Sequence, residues 1–455
     1  MLTGTAPTPA AVGARLAGRA AFAAAAVGYV LAMAWLLQLP HDIAGGVVVG
    51  HVLGLVTVPL LLHLTRTEPD RKLRAIVGGG LLLKLFGTLA RYFVAFGVYG
   101  GGDAFVYDRI GGELAASFRQ GDFALGSDQI IGTRFIEIVT GVFYTITGPT
   151  RLGGFLFYSW LGFWGLYLFY RAFRISFPEG HRRRYAAMVF FLPSMAFWPS
   201  SIGKEAWMTL TLGMAAYGAA RLLSHQGHAV PSLLAGLVGS GLVRPHMTIT
   251  VVVSLGAAYL ISGAKRGGFG APFAKFTGLL VLVAVFGVTF AGVQSKFNLK
   301  EGQGLEDVLN KTQTQTSQDG SEFESVAARS PVDVPLAAFS VLFRPLPVEA
   351  RNVQTLVASL EGAVLLFLFI RHRRKLVNLI PRRTAPYLTF VTAYSLIFVI
   401  AFSNFGNFGI LARQRVQLFP FVLVLLAVPH IKRKQASPEK LTGITGPRRR
   451  VLAQA

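Results

Sequence analysis

The sequence predicts an all-α polytopic membrane protein with about twelve transmembrane helices and both termini on the cytoplasmic side. Three observations carry this. The 455 residues are 53% apolar and only 14% charged, against about 25% charged in a soluble domain. Apolar runs of roughly 15–25 residues, the length that crosses about 30 Å of hydrocarbon, recur along the chain. Finally, the basic residues that make up the +23 net charge fall unevenly between the segments joining those runs. The absence of cysteine excludes a disulfide scaffold, thiolate metal sites and a cysteine nucleophile.

The spans are expected near 20–38, 44–63, 75–98, 153–171, 185–199, 204–222, 229–243, 246–264, 276–294, 353–371, 385–403 and 415–430. The first follows Arg15 and Arg19, as in a signal peptide, but no small-residue cleavage site follows Trp35-Leu36-Leu37-Gln38-Leu39-Pro40, so it reads as a retained helix. With the N-terminus inside, inner segments carry 28 of the 44 Lys and Arg and the longer outer segments carry 14. Lys84 and Arg91 lie within a span. The runs Arg182-Arg183-Arg184 and Arg448-Arg449-Arg450 mark the inner side most strongly, as the positive-inside bias requires. Topology thus accounts for the charge, and nucleic acid is excluded as a partner.

Residues 127–147 are apolar enough for a span, yet a span there would place Arg182-Arg183-Arg184 outside. Their apolar positions recur at helical spacing among Asp128, Arg134 and Glu137, which predicts an amphipathic helix in the membrane interface. Residues 104–119 read the same way, so 99–152 is a first large outer loop with two interfacial helices. The second, 295–352, opens with a Gln, Thr, Ser, Gly, Asp and Glu-rich stretch over 299–334, expected to be mobile before substrate binds. It ends in an apolar stretch, 336–351, expected to lie on the membrane surface. Residues 431–455 form a basic cytoplasmic tail. The whole chain reads as one integral membrane domain, with no repeat, soluble domain or coiled coil.

With this topology the uncommon polar residues gather on the outer side. They are Asp103 and Asp108 in the first outer loop, Lys204-Glu205 at a helix start, and Arg244-Pro245-His246 between two spans. Arg344, Glu349 and Arg351 follow, then Arg413 and Arg415, with Arg91 near the outer end of its span. Ionisable groups at this depth cost roughly 2.5–3.5 kcal/mol each on insertion scales, which makes them functional candidates. The plainer readings are anchors that snorkel, for the basic residues, a helix cap for Asp103, a local ion pair for Lys204-Glu205, and a turn residue for His246. Lys84 is expected to pair with Glu361 or a carbonyl. Several guanidinium groups suit a lipid phosphate or pyrophosphate. A carboxylate beside them suits a general base that takes a proton from an attacking hydroxyl. Phe-rich walls (36 Phe) suit a lipid tail. No Gly-rich phosphate loop or Rossmann unit argues for a nucleotide-sugar donor.

At Gly102-Asp103-Ala104-Phe105-Val106-Tyr107-Asp108, followed by Leu114-Ala115 and Gly121-Asp122-Phe123, the chain resembles the glycosyltransferase-C superfamily. The resemblance covers about residues 97–150 and is topological beyond them. It implies an enzyme that moves a sugar from a polyprenyl-phosphate carrier to a glycan, lipid or protein acceptor on the outer face of a bacterial cytoplasmic membrane, in cell-surface polysaccharide or glycoconjugate synthesis. It makes Asp103 the catalytic base and Asp108 its neighbour or replacement. One departure is that the loop follows the third span here and the first in the family. The stretches Phe197–Glu205 and Gly409–Arg415 also resemble repeat-unit polymerases or ligases of polysaccharide clusters, which use a lipid-pyrophosphate-linked oligosaccharide. A lipid-linked sugar transporter shares the span count but calls for midplane polar groups and related halves. No cofactor is certain; a divalent metal could sit among Asp103, Asp108 and Glu205, though no spacing demands one.

Overall fold

The computed structural model describes residues 9–36, 38–66, 68–125, 130–262, 323, 325–377 and 385–428. The expected span at 276–294, most of the polar stretch 299–334 and the tail 431–455 lie outside the described residues. Among the described residues all regular structure is helical. Five helices are long and apolar enough to cross a membrane: Leu16–Leu36, His41–Thr65, Arg71–Val98, Arg151–Ser176 and Val353–Arg371. These make the protein an α-helical membrane protein. Their exposed faces carry the large apolar side chains that water would not tolerate, among them Leu55, Phe86 and Phe367.

In chain order, α1 (Pro9–Leu36) and α2 (His41–Thr65) precede α3 (Arg71–Phe93), which widens into a π turn over Val94–Val98. Gly100, Gly101 and Gly102 then take φ of 68°, 121° and 56°, a left-handed run that favours glycine. This run turns the chain sharply into α4 (Gly102–Arg119). The helix α5 (Thr133–Thr147) packs back on it, with Gly111 against Thr140 and Gly141 against Leu114. These are the two helices expected in the first large loop.

The centre is α6 (Arg151–Ser176), α9 (Lys204–Leu223) and α10 (Ala229–Val243). Small residues let these backbones approach closely, as is usual between helices in a bilayer. A Cβ on Gly165 would lie 2.3 Å from the Thr209 carbonyl oxygen, and one on Gly213 would lie 2.4 Å from that of Gly165. Around this core stand α7 (Arg182–Phe191), α8 (Pro193–Phe197), α11 (Pro245–Ser262), α12 (Val334–Phe343), α13 (Val353–Arg371), α14 (Arg373–Val377) and α15 (Pro386–Phe402). The chain then runs through α16 (Phe408–Gln414), which is followed by a 3₁₀ turn and meets α17 (Phe419–Ala427) at 60°.

One expectation needs correction. The single span at 185–199 is instead two short helices, α7 and α8, because Pro193 holds Leu192 extended at ψ 126°. The apolar stretch at 336–351, expected on the membrane surface, packs one side of α12 against the bundle. Ala337, Ser340 and Val341 of α12 are buried, and the Phe343 carbonyl presses onto Gly362 of α13. Among the described residues the ion pairs fall at two ends of the bundle. One end holds the Asp70–Arg183 and Glu68–Arg174 ion pairs and the Arg184–His372 contact. The other holds every candidate site residue.

Replacing Gly165 by Ala should destabilise the protein by roughly 1–3 kcal/mol through overpacking. Gly54→Ala on α2, where a Cβ meets nothing within 4 Å, should leave it unchanged or slightly firmer. Denaturation midpoints of the purified variants in detergent compare the two; equal effects would contradict the close α6–α9 contact.

Candidate functional site

Four helices and one junction between helices deliver five charged side chains to one point. Glu205, in the first turn of α9, is the centre: its side chain is 4% exposed. Arg244, at the junction of α10 and α11, donates from Nη2 to Glu205 Oε1 at 2.9 Å. Arg413, on α16, approaches the same oxygen through Nε at 2.8 Å and donates from Nη2 to Oε2 at 3.2 Å. That Nη2 also donates to Asp103 Oδ2 at 2.9 Å, where the Asp103 side chain is 60% exposed. Arg91, from the end of α3, stacks its guanidinium over Phe197 and Trp198 at 5.1 and 4.9 Å, within electrostatic range of Arg413, Glu205 and Asp103. Its Nε is buried without a hydrogen-bond partner among the described residues.

Neighbours fix the group. Arg244 Nη1 donates to Gln414 Oε1 at 2.7 Å, and Gln417 Nε2 donates to the same atom at 2.8 Å. Tyr107, one turn after Asp103 on the same face of α4, is buried beside it and hydrogen-bonds Thr133. Burial, with the nearby Asp103 and Glu205 carboxylates, pushes the Tyr107 hydroxyl well up, so it stays protonated. Lys204 Nζ donates to Thr133 Oγ1 at 2.8 Å, beside the cluster but turned toward α5. Thr133 escaped the sequence reading, and Tyr107 entered it only within the motif at 102–108, although its four-residue spacing from Asp103 places the two on one face.

Asp103 does not cap its helix, since the N-cap is Gly101 and makes no side-chain bond. Asp108 departs from its expected place beside Asp103. It accepts from the Tyr144 hydroxyl at 2.6 Å and from Arg151 Nε at 2.9 Å, tying α4 to α5 and α6. Five residues along a helix is about 140° of rotation, so Asp103 and Asp108 face different neighbours. Arg415 also turns away: it is 2% exposed and donates from Nη1 to the carbonyls of Leu342 and Arg344 at 3.1 and 2.8 Å. Arg344 grips Glu349 through Nε and Nη2 and stacks on Phe323 and Phe408. Burial raises the Glu349 carboxyl, but the Arg344 bonds and the Leu346 N–H outweigh it and hold it below its usual range. Arg351 is exposed, and His246 sits 6.1 Å from the Phe402 ring. Lys84, 2% exposed, takes the carbonyl of its two expected partners, donating to Pro199 O at 2.8 Å and to Ser200 Oγ at 3.0 Å. Glu361 instead accepts from the Ser194 N–H at 2.7 Å.

The sequence reading also missed Asp42, which accepts from the Leu152 N–H at the start of α6 and from the Tyr92 hydroxyl. Among the described residues no group of three or more His, Asp or Glu side chains is placed to hold a metal ion. What the cluster offers is three guanidinium groups, one of them with an unsatisfied nitrogen, around one buried and one exposed carboxylate. No family model, no curated protein and no solved structure matches this chain.

Glu205→Gln should cost about 3–5 kcal/mol, the penalty for stranding a buried charge, here that of Arg244. Asp103→Asn, at an exposed pair, should cost at most about 1 kcal/mol. Thermal unfolding of the two purified variants tests the ranking, and the reverse order would mean that Glu205 is not the centre of the cluster.

Proposed function

We propose that the protein is a membrane glycosyltransferase that moves a sugar from a polyprenyl-phosphate carrier to a glycan, lipid or protein acceptor at the outer face of a bacterial cytoplasmic membrane. In this reading the chain crosses the bilayer about twelve times with both termini inside, and α4 and α5 lie in the outer interface. The observation that carries it is the convergence of Arg91, Arg244 and Arg413 with an exposed Asp103 at one end of an apolar bundle. Residues of the expected outer segments contact one another at that end. Residues of the expected inner segments, Asp70 with Arg183 and Arg184 with His372, meet at the other.

The chemistry follows from the positions. A carrier phosphate would be held by Arg91 and Arg413, and in taking Arg413 it frees Asp103. Asp103 then accepts the proton of the acceptor hydroxyl as that oxygen bonds to the anomeric carbon. The bond from that carbon to the phosphate oxygen breaks, and the guanidinium groups stabilise the departing phosphate. Asp108 contributes by holding α4 in place, and Arg415 and the Arg344–Glu349 pair by shaping the adjoining turn. The polymerase or ligase reading uses the same groups on a pyrophosphate carrier.

Asp103→Asn should lower sugar transfer in isolated membranes by roughly 10²–10⁴-fold, the contribution of a general base, while the protein remains folded. A strain lacking the protein should accumulate sugar-bearing carrier, read by mass spectrometry of polyprenyl lipids; one sugar on the carrier supports the transferase and a whole repeat unit the polymerase. Full transfer by Asp103→Asn would remove Asp103 as the base.

A further inference from the structure

The end of the bundle opposite the Arg91–Arg413 site carries a dense basic surface with no part in the chemistry above. Three stretches far apart in sequence meet there. The Asp70–Arg183 ion pair joins the starts of α3 and α7, and the 3.2 Å contact between Arg184 Nη1 and His372 Nε2 joins α7 to the end of α13. Residues 68–74, 178–184 and 371–374 hold nine Lys and Arg against three carboxylates. Two of those carboxylates are already engaged, Asp70 by Arg183 and Glu68 by Arg174. Arg71, Lys72, Arg74, Arg373 and Arg374 are exposed.

Local contacts account for the arginines of α7, which reach Pro178 O, Asp70 and Leu426 O, but not for the run of Arg71, Lys72 and Arg74 on α3. The first turns of α3 and α7 contain basic residues and no acidic one, although the helix dipole disfavours cations there. Membrane sidedness needs positive charge on a loop, but not three loops folded together. The apolar surroundings complete the picture. Phe367 and Ile370, within about one turn of Arg371, are 61% and 51% exposed, and Leu82 and Phe86 on α3 are exposed further along. A surface that is basic at the helix ends and apolar along the flanking helices matches an amphiphile with an anionic head and hydrocarbon tails.

We propose that this end of the protein binds anionic phospholipids of the adjoining leaflet. Their phosphodiester groups sit among the exposed Lys and Arg of α3, α7 and α13–α14, and their acyl chains lie along α3 and α13. The inference rests on the helical membrane fold alone and stands whether or not the opposite end transfers sugar.

The full chain, purified in a neutral detergent, would be titrated with phosphatidylglycerol or with phosphatidylcholine of the same acyl chains, following unfolding temperature and bound lipid by native mass spectrometry. Phosphatidylglycerol should raise the unfolding temperature and stay bound, phosphatidylcholine should do neither, and the difference should shrink with added salt. The Lys72→Gln, Arg373→Gln, Arg374→Gln variant should bind phosphatidylglycerol at least tenfold more weakly, whereas Arg413→Gln should bind it normally. If the triple variant fails to fold, Lys72→Gln with Arg74→Gln takes its place. Equal binding of the two lipids, unchanged binding by the basic-residue variants, or an equal shift with glycerol phosphate would each overturn the proposal.

Discussion

A carboxylate buried to 4% exposure between two guanidinium groups is the constraint on which the rest of this end depends. Glu205 could not stay ionised alone among apolar helices, since an unpaired buried charge is far too costly. Arg244 and Arg413 satisfy it, and in doing so they fasten the α10–α11 junction and α16 to the start of α9. Each arginine then has donors left over. Those of Arg244 reach Gln414, and one of Arg413 reaches Asp103 on α4. One acidic residue therefore sets the relative position of four parts of the chain that lie up to 310 residues apart.

Supports on either side keep that geometry from drifting. On the α3 side, Lys84 grips the turn after α8 through Pro199 O and Ser200 Oγ. Phe197 and Trp198, just before that turn, give Arg91 its stacking surface. Gly87 permits this, because any Cβ there would lie 2.2 Å from the Ala196 carbonyl oxygen. On the α6 side, Asp108 and Asp42 receive donors from Tyr144, Arg151, Leu152 and Tyr92, which anchors α4 and α2 to the start of α6. A buried lysine in a membrane helix invites a functional role; here its contacts are those of a brace for the loop that leads to Glu205.

The helical membrane class, the two helices of the first large loop and the gathering of Asp103, Glu205, Arg91, Arg244 and Arg413 were legible in the sequence. Each of these follows from apolar run length or from the sidedness of rare charges. What was not legible depends on rotation about a helix axis and on which neighbour is met. Arg413 and Arg415 are two residues apart and take different sides of the chain: one enters the cluster and the other braces the Leu342 and Arg344 carbonyls. Asp103 and Asp108 separate by rotation along α4. The burial of α12 depends on long-range packing, which hydropathy along the chain does not record, and the break at Pro193 is a local proline effect that a reading by apolar run length passes over.

Arg413 is shared by two carboxylates, only one of which water can reach. An anion arriving at this guanidinium displaces Asp103 and leaves Glu205 in place, so it substitutes for a negative charge already present. The free energy of such an exchange is the difference between two ion pairs rather than the gain of one. Binding would then be weaker, and its release quicker, than a triad of arginines suggests by count. Under the proposed reading, a carrier that must leave after each turnover would be better served by such an exchange than by a site that holds it with full charge.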